Sequence, residues 1–185
     1  ELRQRRPFVG PAGKVLDRLL NAAGLKREDC YIDNACLCRP IPHRTPHMSE
    51  VQACRERLLE ALRGRGVRVV VALGGVAMRA LLPHRRSIYQ ERGRVEECPE
   101  IGAYVVPTFH PAYVLRNPDR YVDVLHDLQK ATKLLSTPHV VLKSPHMFYR
   151  VLESTAELLE VYDSLRNATV VALEDRKSTR LNSSH

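Results

Sequence analysis

Strands alternating with helices predict an α/β fold, a three-layer αβα sandwich around a mainly parallel sheet. Three observations carry this expectation. Residues 67–73 (Val67-Arg68-Val69-Val70-Val71-Ala72-Leu73) form a nearly continuous apolar run closed by Gly74-Gly75, as a central parallel strand buried on both faces requires. A second run, 103–106, leads into Pro107-Thr108-Phe109-His110-Pro111. Residues 11–23 carry Val15, Leu16, Leu19 and Leu20 at helical spacing, with Pro11 suited to a first turn and Gly24 to a stop.

The remaining elements follow in order. Residues 31–35 are a short strand candidate. A loop constrained by Pro40, Pro42 and Pro46 comes next. Ser49 is the expected cap of a helix over 50–62, with Val51, Cys54, Leu58 and Leu62 on one side. A short helix to Leu82 follows Gly74-Gly75, and 119–135 reads as a further helix. From Val140 the character changes. Residues 140–142, 149–152 and 170–173 suit strands and 155–165 a helix, the opening of a second domain. Residues 176–185 are polar and without periodicity, and 178–185 resemble a read-through tail outside the fold.

The 185 residues suffice for one ordinary domain and part of another, and the 44% apolar content suits a packed core. No apolar run reaches the roughly 18 residues of a membrane span, and the opening residues carry no secretory stretch. The chain begins without Met, so its natural start is expected upstream. The formal charge of +8 favours an anionic partner, nucleic acid being the commonest, although a generally basic surface would produce the same count. Without Arg176, Lys177 and Arg180 of the tail the charge falls from +8 to +5, still basic. Five irregularly spaced cysteines suit a reducing cytoplasm, with thiols free or holding metal.

In an open α/β sheet, ligands bind beyond the carboxyl ends of the strands. Asn34 and His110 both stand at such expected ends. An amide and an imidazole there can recognise and polarise a small polar ring. Singly, Asn34 equally suits a turn and His110 a satisfied loop position.

Five segments in order extend this reading. They are residues 6–13 (Arg-Pro-Phe-Val-Gly-Pro-Ala-Gly), Asn34 through Cys38-Arg39-Pro40, Arg44-Thr45-Pro46, Val71-Ala72-Leu73-Gly74, and His110-Pro111-Ala112-Tyr113-Val114-Leu115-Arg116. Together they resemble the family-4 uracil-DNA glycosylases, the iron–sulfur type of that superfamily, over roughly residues 6–135. The resemblance implies a DNA repair enzyme that hydrolyses the N-glycosidic bond of a flipped-out uracil. It assigns Phe8 the stacking face under the base and Asn34 the amide that reads the uracil edge. His110 becomes the catalytic donor to the uracil O2, where charge develops as the bond breaks. Leu115 becomes a wedge into the DNA and Arg116 a phosphate contact. Core packing is an equal reading for Leu115, and a hydrophobic staple an alternative for Phe8.

Cys38 and Cys54 match two of the four thiolates of the family's structural 4Fe-4S cluster. The other pair and a Gly-Glu-Ala-Pro-Gly motif are expected upstream of Glu1, so residues 1–137 are expected to form a glycosylase domain without its first segment, inactive alone. Cys36 departs from the family pattern, and Cys30, Cys36 and Cys98 read as free thiols. Residues 148–173 resemble the start of a polymerase-type 3′–5′ exonuclease domain, giving 138–175 as a second domain, with Glu174-Asp175 in the wrong order for its metal motif. The expected partner is uracil-containing DNA, met by a cytoplasmic monomer that avoids membranes and is associated with a polymerase or exonuclease module. Two rivals stand beside this reading: a non-catalytic DNA-binding relative in a polymerase assembly, and a zinc-bearing nucleic-acid module using Cys36, Cys38, His43 and His47.

Overall fold

The computed structural model describes residues 6–37, 40, 41, 44–85, 87–136, 154–156 and 159. Contacts divide the chain into two compact units, Glu1–Val140 and Val141–His185. In the second unit Thr155, Ala156 and Leu159 are helical, and the strands expected at 140–142, 149–152 and 170–173 lie outside the described residues.

In the first unit the helices are α1 (Pro11–Ala22), α2 (Met48–Arg63), α3 (Gly75–Leu81), α4 (Ile88–Glu91), α5 (Pro111–Arg116) and α6 (Tyr121–Ser136). The strands are β1 (Val69–Leu73), β2 (Glu96–Cys98) and β3 (Ala103–Thr108), in sheet order β1-β3-β2. β1 and β3 run parallel with Val71 opposite Val106, and β2 runs antiparallel with Cys98 opposite Ala103. Within the described sheet β3, not β1, is therefore the middle strand. Its burial agrees, since every β3 residue except Tyr104 is buried, while β1 is mostly half-buried.

The three layers follow from period-two alternation along β1. Ala72 enters a core with Val51, Leu58, Leu59 and Leu62 of α2 and Met78 and Leu81 of α3. Val71 and Leu73 face the other way, onto Val15, Leu16, Leu19 and Leu20 of α1, Val114 of α5, and Val124 and Leu128 of α6. The sheet lies between two helical layers, and the expected α/β sandwich is borne out.

Two local expectations are corrected. Residues 31–34 form no strand. The Asp33 carboxylate takes the Asn34 backbone N–H at 2.7 Å, a local bond that competes with a sheet ladder. The N-cap of α2 is His47 and not Ser49. Glu50 reaches back to accept the His47 N–H at 2.7 Å, which starts the helix two residues before Glu50 and puts Ser49 in its first turn. No helix among the described residues is long and apolar enough to cross a membrane.

Candidate active site

The carboxyl end of β3 delivers the centre of the site. After Thr108 the chain buries Phe109 and turns at His110, which becomes the N-cap of α5. Pro111 suits the position after the cap, because the first turn of a helix leaves its N–H groups unbonded. The His110 Nδ1 accepts the Ala112 N–H at 3.0 Å. A neutral imidazole that accepts at Nδ1 carries its proton on Nε2, so this cap sets the tautomer and leaves Nε2 the donor atom.

Phe8 stacks on that imidazole, with ring centroids 5.4 Å apart and planes 27° from parallel. Its backbone is in the left-handed region, at φ 56°, a costly conformation for a bulky residue. Two glycines that the sequence reading left without a site role make the pairing fit. A Cβ at Gly13 would lie 1.8 Å from the Phe8 carbonyl oxygen, so only glycine lets the Phe8 loop fold back onto α1. A Cβ at Gly74 would lie 3.1 Å from the His110 Cβ, and Gly74 has φ 90°. Its N–H donates to the Thr108 carbonyl at 2.7 Å, tying the end of β1 to the end of β3. Neither glycine declares this in the sequence, because each accommodates a residue distant along the chain or an unusual local turn.

Asn34 is exposed on a segment tied to α2. Arg57 donates to the Asn34 carbonyl at 2.6 Å and to the Asp33 carboxylate. Tyr31 Oη donates to the same carboxylate at 2.8 Å. Burial alone would push the Asp33 carboxyl up, but the bonds from Tyr31, the Asn34 N–H and Arg57 together hold it below its ordinary value. The segment bridges the two cores, with Ile32 packed against one and Ala35 and Cys36 against the other. The structure thus brings Phe8 and His110 into contact and holds Asn34 through Asp33 and Arg57.

A matched family model covers residues 1–136 and describes the uracil DNA glycosylase superfamily. The chain belongs to that superfamily. Relatives include the type-4 uracil-DNA glycosylase of Thermotoga maritima, 41% identical over 133 residues, covering 70% of this chain and 69% of the relative. The type-4 enzyme of Archaeoglobus fulgidus is 35% identical over 134 residues, with 69% and 67% covered. That of Pyrobaculum aerophilum is 35% identical over 119 residues, with 61% of each chain covered.

The other residues singled out from the glycosylase resemblance fall as follows. Leu115 is 44% exposed, whereas its neighbour Val114 is 4% exposed and fills the core position, so core packing does not explain Leu115. Arg116 is exposed at the end of the same helix. Cys54 is half-buried on α2, against Cys36. Burial first, and then the neighbouring Cys54 sulfur, push the Cys36 thiol up. Cys30 donates to the Lys26 carbonyl at 3.3 Å, and buried Cys98 faces the Leu81 carbonyl at 3.6 Å. Among the described residues no three His, Cys, Asp or Glu side chains cluster as a metal site. Cys38 and His43 lie outside those residues, so the cluster and zinc arrangements both include positions without a description.

Thiolates are soft donors, which suit iron–sulfur clusters or zinc better than a hard cation. Cys54 faces the segment that carries Cys36 and leads to Cys38.

Proposed function

We propose that the protein to which this chain belongs removes uracil from DNA by hydrolysing the N-glycosidic bond, as a base-excision repair glycosylase. The observation that carries the reading is the His110 imidazole, stacked on Phe8 and locked with Nδ1 as acceptor. Cleavage of the bond between base and sugar leaves negative charge on uracil and positive charge on the sugar. Nε2–H of His110 donates to the uracil O2 as that charge builds, so the interaction is stronger in the transition state than in the ground state. Water adds at C1′, and free uracil and an abasic sugar result.

Phe8 offers its ring to the flipped base, and the Asn34 amide supplies one donor and one acceptor to the uracil edge. Cytosine reverses one of those bonds, which disfavours it. Exposed Leu115 enters the stack where the base has left, and Arg116 contacts a phosphate. We assign residues 1–137 to this activity, in line with the family match over 1–136.

Cys38 and Cys54 would supply two of the four thiolates of a 4Fe-4S cluster, a structural group with no part in the reaction. Iron and sulfide assays on a form that supplies all four thiolates test this, together with visible absorption. Cys54→Ser should lose both signals, and retention of full iron content would remove Cys54 as a ligand.

The catalytic assignment is tested by uracil release from an oligonucleotide under single-turnover conditions, with a form that carries the whole glycosylase domain. His110→Ala should slow release by about 10²–10³-fold, the scale for losing one donor to a developing anion. An unchanged rate would sink the mechanism. Binding without any release by that form, unsubstituted, would favour a non-catalytic DNA-binding role.

A further inference from the structure

We propose that Tyr89 is a stacking platform for the nucleobase next to the extruded uracil in single-stranded DNA. The proposal rests on the uracil-DNA reading for the identity of the nucleotide strand, and on separate observations for the place of contact.

Tyr89 is 63% exposed on the four-residue helix α4, yet its ring is firmly mounted. It meets buried Phe109 edge-on, with centroids 5.4 Å apart at 62°. It meets Tyr113 at 6.1 Å and 87°, and the two hydroxyl groups are 3.3 Å apart. Ile88, the preceding residue, packs against both cores and anchors α4. An aromatic ring held at its edges is an inexpensive binding surface, since little freedom remains to be lost on stacking.

The mounting also fixes where the ring lies. Phe109 immediately precedes His110, and Tyr113 donates its backbone N–H to the His110 carbonyl at 2.8 Å. The platform therefore stands one residue from the reacting centre on one side and one helical turn on the other. Exposed Leu115 and Arg116 end the same helix, and Arg120 lies near the Tyr113 side chain.

Aromatic faces beside arginines are the chemistry of single-stranded nucleic-acid grooves, where bases stack and the cations follow the backbone. Tyr31 makes the contrast. It is 43% exposed, but the Arg65 guanidinium lies 3.9 Å from its ring centroid and occupies a face that a base would need.

The test uses the full chain and a fluorescent single-stranded oligonucleotide. A 2′-fluoro-2′-deoxyuridine stands at the target, where the electron-withdrawing fluorine prevents cleavage. Tyr89→Ala should weaken binding about tenfold, the loss expected for one base–aromatic stack, and Tyr89→Phe should restore most of it. An abasic spacer beside the target, on one of its two sides, should cost the unsubstituted chain about as much. That spacer should cost Tyr89→Ala almost nothing, because both changes remove the same contact. Unchanged binding by Tyr89→Ala overturns the proposal, as do losses that add in full. Binding too weak to measure in the unsubstituted chain overturns it as well. Failure of uracil release by a form that carries the whole glycosylase domain, with these binding effects intact, would overturn the glycosylase reading alone.

Discussion

Asp33 illustrates how one residue can hold its neighbour, here Asn34, the proposed reader of the uracil edge. Its carboxylate collects the Tyr31 hydroxyl, the Asn34 N–H and the Arg57 guanidinium, and Arg57 also holds the Asn34 carbonyl. The folded-state carboxyl titrates below its unfolded value of about 3.9. Its contribution to stability is therefore complete above about pH 4 and lost as pH falls through the lower folded value. Glu50 and Glu100, held down first by side-chain bonds to Arg44 and Arg55, add to the same acid limb. Asp33→Asn isolates one share of it. Between about pH 5 and pH 2 the urea midpoint should fall less steeply in that variant than in the unsubstituted chain. Parallel acid limbs would show that the Asp33 bonds do not stabilise the Asn34 segment.

At the scale of elements, legibility follows how local the cause is. The helix over 11–23 was readable because its stripe lies within it and its stop directly after it, and it forms as Pro11–Ala22 with Gly24 at φ 77°. The strands over 67–73 and 103–106 were readable because buried strands need unbroken apolar runs. They form as Val69–Leu73 and Ala103–Thr108. β2 was not readable, since Glu96-Glu97-Cys98 is three residues long and owes its conformation to pairing with β3. The order of the sheet is likewise a tertiary outcome: the run at 67–73 looks central, but in the described sheet β3 separates β1 from β2. Within the site, the placement of His110 at a strand end was legible. Its contact with Phe8 was not, because it depends on space left by Gly13 and Gly74 and on a positive φ at Phe8.

At the scale of the whole molecule, the site depends on how the helical layers grip the sheet. Two cores flank the strands, but a buried polar tie also fixes α6 to the end of β3. Asp127, 3% exposed, accepts the Thr108 hydroxyl at 2.6 Å and the Arg92 guanidinium at 2.9 Å. Burial pushes its carboxyl up, while Thr108 and Arg92 act in the opposite sense. A Cβ at Gly93 would come within 2.5 Å of Oδ1, so the loop before β2 closes tightly over the same carboxylate. Arg92 extends the tie, donating to the Asp123 carbonyl at 2.6 Å and lying 5.6 Å from the Phe109 ring centroid. Removing the carboxylate leaves a buried hydroxyl and a half-buried cation without this partner. Asp127→Ala should therefore cost about 3–5 kcal/mol of unfolding free energy, the scale for breaking a buried charged pair. Asp127→Asn, which keeps an acceptor for Thr108, should cost less. Urea unfolding followed by circular dichroism checks both. If Asp127→Ala unfolds at the same midpoint, this tie does not help join α6 to the sheet, and the position of His110 is independent of it.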